Sequence, residues 1–225
     1  AVFFFGCDAT FSSVVSLAGE LEDLQEQVRR NPNDADAHFA LGAIYSGLGQ
    51  YHEAIASLKE AIRIKPDDGF SFYYLKSVYF KFSKHKEAIA YFKEAIRVNP
   101  KNASAHISLG SVYASLGQYQ EAIALFKEAI RVNPGNANTH VGVGSEYASL
   151  GQHKEAIAFF KEAIRIEPDH SATHYSLGIS YNNLGRYQEA IASFKEAIRL
   201  YPNNASAYAN LAYSYNKLGR YQEAV

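Results

Sequence analysis

The sequence predicts an all-α protein, a solenoid of helix–turn–helix units repeating every 34 residues. Three observations predict it. All six prolines of the 225-residue chain fall at one spacing, at Pro32, Pro66, Pro100, Pro134, Pro168 and Pro202. Tyr45, Tyr79, Tyr113, Tyr147, Tyr181 and Tyr215 keep step with them, as do Ala54, Ala88, Ala122, Ala156, Ala190 and Ala224. Gly49, Gly117, Gly151, Gly185 and Gly219 recur in the same register, with Ser83 in the gap. A fixed period of this length means stacked units, each burying its apolar face only against its neighbours.

Each element follows from local signals. Within residues 11–34, Leu21, Leu24, Val28 and Pro32 align with Ile55, Leu58, Ile62 and Pro66 of the next unit, while Glu20 and Gln27 replace its two alanines. That predicts a degenerate capping helix. Asp34 is an N-cap for a helix over Ala35 to Leu48, with Leu41, Gly42 and Tyr45 on one face. Gly49 suits a left-handed stop. A second helix runs from about Tyr51 to Ile64, with Ala54, Leu58, Ala61 and Ile62 on one face, until Pro66 ends the pair. Glu53 in its first turn and Arg63 in its last suit the helix dipole. Asp68, Asn102, Asn136 and Asn204 repeat the N-cap, and His170 is a poor substitute there. The units are 35–68, 69–102, 103–136, 137–170 and 171–204. A sixth, 205–225, stops one turn into its second helix, so further chain is expected beyond Val225.

Composition narrows the function classes. The formal net charge is −1, which argues against a general nucleic-acid or other polyanion binder. With 48% apolar and 20% charged residues, the chain has the means to bury a core. One cysteine excludes a disulfide framework and a cysteine-based zinc site within the chain. No run approaches the roughly 20 apolar residues of a membrane span. With no methionine, Ala1 is not a translation start, and the stretch reads as a fragment or a processed product.

This pattern resembles the tetratricopeptide repeat family over Ala35 to Val225. The family's eight positions read His38, Leu41, Gly42, Tyr45, Ala54, Leu58, Ala61 and Pro66 in the first unit. In the third they read His106, Leu109, Gly110, Tyr113, Ala122, Phe126, Ala129 and Pro134. The departure is the first of the eight, usually Trp, here His38, Phe72, His106, His140, His174 and Tyr208. The resemblance implies a right-handed α-solenoid that scaffolds protein–protein interaction, binding a peptide or helical segment in a concave groove formed by the first helices.

On those helices the stripe opposite the core carries few charges: only Asp36, Lys81 and Lys217 across the six units. A merely solvated helix face carries many, although crowding on a concave surface also favours small residues. The second unit stands out with Phe70, Tyr73, Tyr74, Ser77, Phe80 and Lys81 on the stripe. It also has Lys76 where other units have Gly or Ala. Phe39, Ile107 and Tyr175 extend an apolar track, and Asn138, Asn182, Asn183 and Asn210 suit hydrogen bonds to a peptide backbone. The alternative is drift in one unit, with its rings packed on the capping helix. The chaperone-binding clamp of the family is absent, because its positions hold Phe39, Ala43, Tyr74, Ser104 and Ser108. The asparagine ladder of the sugar-transferring members is absent too, with Ala40, Tyr74, Ser108, Gly142, Ser176 and Asn210 in its place.

No catalytic or cofactor motif is found: no P-loop, G-x-G-x-x-G, H-E-x-x-H or G-x-S-x-G. The sequence reads as a non-enzyme without cofactors. Equivalent histidines on stacked helices lie about 8–10 Å apart, too far to share a metal, so their rings are expected at the helix–helix contact in place of Trp. His170 and His174 lack a third ligand. The repeated Glu and Lys/Arg of the second helices read as a solvated face with ion pairs of about 0.2–0.5 kcal/mol each. Asn102 and Asn204 match glycosylation sequons, but capping explains both better.

Residues 1–10 have two readings. The run Ala1-Val2-Phe3-Phe4-Phe5-Gly6-Cys7 looks like the tail of a bacterial lipoprotein signal, with Cys7 lipidated. It also reads as an apolar helix end with an incidental cysteine. The first reading implies a membrane-anchored periplasmic protein that resembles the repeat lipoproteins assisting envelope assembly; the second implies a cytoplasmic one. Two further functional readings stay open: a regulatory or substrate-recruiting arm of an enzyme whose catalytic domain follows Val225, and a self-associating scaffold.

Overall fold

The computed structural model describes residues 19–223, and these are helical wherever they are regular. Helix α1 covers residues 19–30. It is followed by α2 (Ala35–Gly47), α3 (Tyr51–Ile64), α4 (Gly69–Lys81), α5 (His85–Val98), α6 (Ala103–Ser115) and α7 (Tyr119–Val132). Then come α8 (Ala137–Ser149), α9 (His153–Ile166), α10 (Ser171–Asn183), α11 (Tyr187–Leu200) and α12 (Ala205–Lys217). A 3₁₀ turn over Tyr221–Glu223 stands where the sixth unit's second helix was expected to begin. Residues 1–10, including Cys7, lie outside the described residues. Among the described residues, no helix is long and apolar enough to cross a membrane.

The expected cap sets the start of five of the six first helices. Asp34 accepts from the backbone of Ala37, Asn102 from Ala105, Asn136 from Thr139 and Asn204 from Ala207, each at 3.0 Å. Asp68 accepts from the backbone of Phe70 and Ser71. His170 makes no such bond; its Nδ1 pairs with the Thr173 hydroxyl instead. The turn after each first helix is left-handed. Gly49 has φ 74°, and its counterparts fall between 71° and 78°. Ser83 holds the same conformation at φ 54° without glycine's freedom.

The core is a buried stripe of small and large residues along each second helix, packed against glycine on the first at Gly42 and Gly178. Ala54, Leu58 and Ala61 of α3 are buried, as are Ala88 and Phe92 of α5, Ala122 and Phe126 of α7, Ala156 and Phe160 of α9, and Ala190 and Phe194 of α11. Burying each Leu or Phe contributes about 1.5–3 kcal/mol before entropy. The helices approach so closely that a β-carbon on Gly178 would lie 2.6 Å from Phe194, and one on Gly42 would lie 2.5 Å from Leu58.

The histidine ladder has a role that helical periodicity does not show. His38 Nε2 lies 3.1 Å from the carbonyl of Pro32, His106 Nε2 2.9 Å from Pro100, and His140 and His174 Nε2 2.7 Å from Pro134 and Pro168. In each case the ring binds the carbonyl of the proline that ended the preceding helix, leaving fewer polar groups unsatisfied at that end. Phe72 has no donor to offer. There Asn102 Nδ2 reaches the Pro66 carbonyl at 2.7 Å while its Oδ1 caps α6.

The chain divides into two compact units, one ending at Val112 and the other starting at Tyr113, with the division inside α6. In the first unit α2 packs on α3, α3 on α4, and α2 also touches α4. In the second, α8, α9, α10, α11 and α12 pack in succession, and the first helices α8, α10 and α12 also touch one another in order. Within each unit, this brings neighbouring first-helix faces side by side.

Candidate functional site

In the first unit the contact between α2 and α4 brings two predicted aromatics together. The Phe39 and Tyr74 rings meet edge-on with centroids 5.0 Å apart, and Tyr73 lies 6.2 Å from Tyr74. Edge-on pairs match the ring quadrupoles. Beside them Phe70 is 74% exposed, Tyr73 58% and Tyr74 38%. Rings of this size in water mark an interaction face more often than a fold requirement. Ser77 is half-buried and donates to the Tyr73 carbonyl at 3.0 Å. Lys81 is exposed and Ile107 half-buried. Phe80 does not join the cluster: it is half-buried, with its ring 5.5 Å from His85 at the start of α5.

Lys76 is 8% exposed, a rare burial for lysine. Its ammonium lies 5.0 Å from the Tyr73 ring centroid and donates to Ser111 Oγ at 3.4 Å. Ser111 in turn donates to the carbonyl of Ile107. The cation therefore lies against the Tyr73 ring. The sequence flagged Lys76 as an oddity, but it did not reveal Ser111 as its partner.

In the second unit the site is amide-rich. A depression of about 240 Å3 is lined by Ile179, Asn182, Asn183, Asn210 and Tyr213. Asn210 Nδ2 donates to the Tyr175 hydroxyl at 3.2 Å, and Ser214 Oγ donates to Asn182 Oδ1 at 2.8 Å. Asn182 Nδ2 is buried with no hydrogen-bond partner. A buried orphan donor costs about 1–3 kcal/mol. Asn183 is spent on the carbonyl of Ile179. Tyr175 is half-buried, and Asn138 is exposed and does not line the depression. Sequence reasoning missed Tyr213 and Ser214; the signal for both was their place on or beside the uncharged stripe.

The repeated charges of the second helices pair as expected. Arg63 meets Glu60 at 2.7 Å, Arg97 meets Glu94 at 2.6 Å, and Arg165 and Arg199 meet Glu162 and Glu196 at 2.7 Å. Each guanidinium holds its carboxylate below the ordinary range, chiefly by hydrogen bonding, on an exposed surface. Among the described residues, no group of three or more His, Cys, Asp or Glu has metal-binding geometry.

Family models agree with this architecture. Models described as tetratricopeptide repeat match residues 35–68 and 171–204, residues 77–137 and residues 193–225, and one described as TPR repeat matches 144–185. The chain is a tetratricopeptide repeat (TPR) protein. Among solved structures, it is similar to TTC0263, a thermophilic TPR protein of Thermus thermophilus. The two are 26% identical over 80% of this chain and 98% of that one, with a TM-score of 0.61. It also shares its fold with MamA, at 23% identity over 67% of this chain and 88% of that one, with a TM-score of 0.56. No curated protein matches the sequence. TPR arrays are in general non-catalytic scaffolds for protein–protein interaction.

Proposed function

We propose that this TPR protein is a non-catalytic adaptor that takes an extended or helical segment of a partner protein on its first-helix face. The anchor is the aromatic cluster on α4, in the first of the two compact units. One observation carries this reading: Phe70 and Tyr73 stand mostly in water on α4, the helix whose Tyr74 pairs edge-on with Phe39. Interfaces draw most of their energy from a few such rings. In the second compact unit the depression lined by Asn182, Asn183, Asn210 and Tyr213 holds no charged side chain, which suits a peptide backbone better than a charged ligand.

The test places a photo-crosslinking phenylalanine at position 70 and compares capture from an extract of the source organism with a Phe70→Ala/Tyr73→Ala bait. A partner crosslinked at position 70 and lost from the double variant is the expected outcome. Equal capture by both baits, with no crosslink, overturns the assignment.

A further inference from the structure

A second depression lies in the first unit, away from the aromatic cluster, on residues that the functional reading does not use. Its volume is about 360 Å3, and Ile62, Phe72, Tyr91, Ala95 and Val98 line it together with Lys59. Phe72 is fully buried and floors it, while Val98 is 71% exposed at its mouth. The volume falls within the range of ligand pockets.

Two departures from the repeat make this place unlike its equivalents. Four other units put an imidazole where Phe72 stands, each bound to a proline carbonyl. Here the floor is a hydrocarbon ring, and Asn102 has taken over the Pro66 carbonyl. At the position of Tyr91, the other units have Ser57, Leu125, Phe159 and Ser193, so this unit has an aromatic wall with a polar tip.

The charge at the site is uncompensated. The Lys59 ammonium lies 4.9 Å from the Tyr91 ring centroid and 5.9 Å from that of Tyr79. The acids beside it are occupied: Glu60 pairs with Arg63 and Glu94 with Arg97. Lys59 itself makes no ion pair among the described residues. Its pKa is pushed down by burial, with no carboxylate opposing the shift. Lys161 and Lys195 lie over Tyr181 and Tyr215 in the same way, at 5.9 Å and 5.7 Å, so the lysine–tyrosine stack belongs to the repeat. The Phe72 floor and the Tyr91 wall beside it belong to this repeat.

We propose that the depression is a second binding site, for a partner segment that presents a large apolar side chain next to a carboxylate. The side chain fills the space over Phe72 and beside Tyr91, and the carboxylate pairs with Lys59. A partly buried cation that lacks an acid is where a charge-assisted contact gains most. This site stands or falls independently of the aromatic cluster.

The test titrates the full ¹⁵N-labelled chain with two blocked pentapeptides, one with phenylalanine flanked by aspartates, the other with phenylalanine flanked by asparagines. The aspartate peptide is expected to shift the backbone amides of Ile62, Ala95 and Val98. The asparagine peptide, or the Lys59→Gln variant with the aspartate peptide, is expected to bind about tenfold more weakly, the loss of one charge-assisted contact. Val98→Glu, at an exposed position that leaves the fold intact, should abolish the shifts. The proposal is overturned if both peptides bind equally, or if the aspartate peptide moves only the Tyr74 and Ser77 amides. Shifts at Val98 that change with protein concentration alone would identify a second copy of the chain as the occupant, and would overturn it too.

Discussion

Helices α4 and α10 hold the same place in their repeats, yet they are built to opposite ends. α10 keeps Gly178 against Phe194, follows with Gly185 in the left-handed turn at φ 71°, and carries a half-buried Asn182 beside an exposed Asn183. α4 puts Lys76 at the glycine position, Ser83 in the turn at φ 54°, and Phe80 and Lys81 where the asparagines stand, with Phe70 and Tyr73 exposed beside them. Each choice in α4 is locally unfavourable: a buried ammonium, a strained turn, rings in water. In a stacked array neighbours share the stability, so one unit can carry such residues while the rest stay regular. Local conflicts concentrated in one element point to function at that element.

The largest expected effect tests the regular side of the contrast. Gly178→Leu puts a branched side chain where even a β-carbon would lie 2.6 Å from the buried Phe194 ring. It should destabilise the protein by about 3 kcal/mol, read as a lower urea midpoint. An unchanged midpoint would mean that α10 and α11 separate easily, and that glycine there is incidental.

The next effect is on binding. Phe70→Ala with Tyr73→Ala should weaken a captured partner by about 2 kcal/mol or more while moving stability by less than about 0.5 kcal/mol, because both rings are mostly exposed. Calorimetry against the captured partner and a urea melt check the two halves. A large loss of stability with no loss of affinity would make the α4 rings structural and remove the contrast with α10.

The helices were legible in the sequence because each boundary has a local cause. The second helix expected over Tyr51 to Ile64 is α3 over the same residues, and the first, expected to reach Leu48, ends at Gly47 with Leu48 as its cap. The five carboxylate and amide caps bond as expected, and His170 does not. The candidate site was legible only as a stripe. Helical periodicity puts Phe80 on the same face as Tyr73, but not its rotamer, and in the fold that ring packs on His85. Contacts between residues about one repeat apart, such as Lys76 with Ser111 or Asn182 with Ser214, leave no local trace. The histidine–proline bonds span six residues across a loop, where helical spacing predicts nothing.

The bond that replaces them at Pro66 gives a smaller, sharper test. Asn102 does two jobs, capping α6 and holding the Pro66 carbonyl that Phe72 leaves free. Asn102→Ala should cost about 1–3 kcal/mol, more than the cap alone. Phe72→His in the same background should recover part of the loss by restoring the histidine–proline bond seen in four other units. Failure of that rescue would show that the carbonyl does not need a partner.

The smallest effect carries the opposite sign. Ser83 adopts at φ 54° the turn that five other units assign to glycine. A side chain in the left-handed region costs roughly 1–2 kcal/mol, and glycine gives part of that back by loosening the unfolded chain. Ser83→Gly should therefore stabilise the protein by about 0.5–1 kcal/mol, visible as a modest rise in the urea midpoint. The turn joins the helix bearing Phe70 and Tyr73 to α5, so partner affinity is the second readout. A gain in stability with unchanged affinity would make Ser83 a neutral departure. A gain in stability with weakened affinity would mean that the strained turn sets the angle at which α4 presents its rings, and would tie Ser83 to the exposed Phe70 and Tyr73.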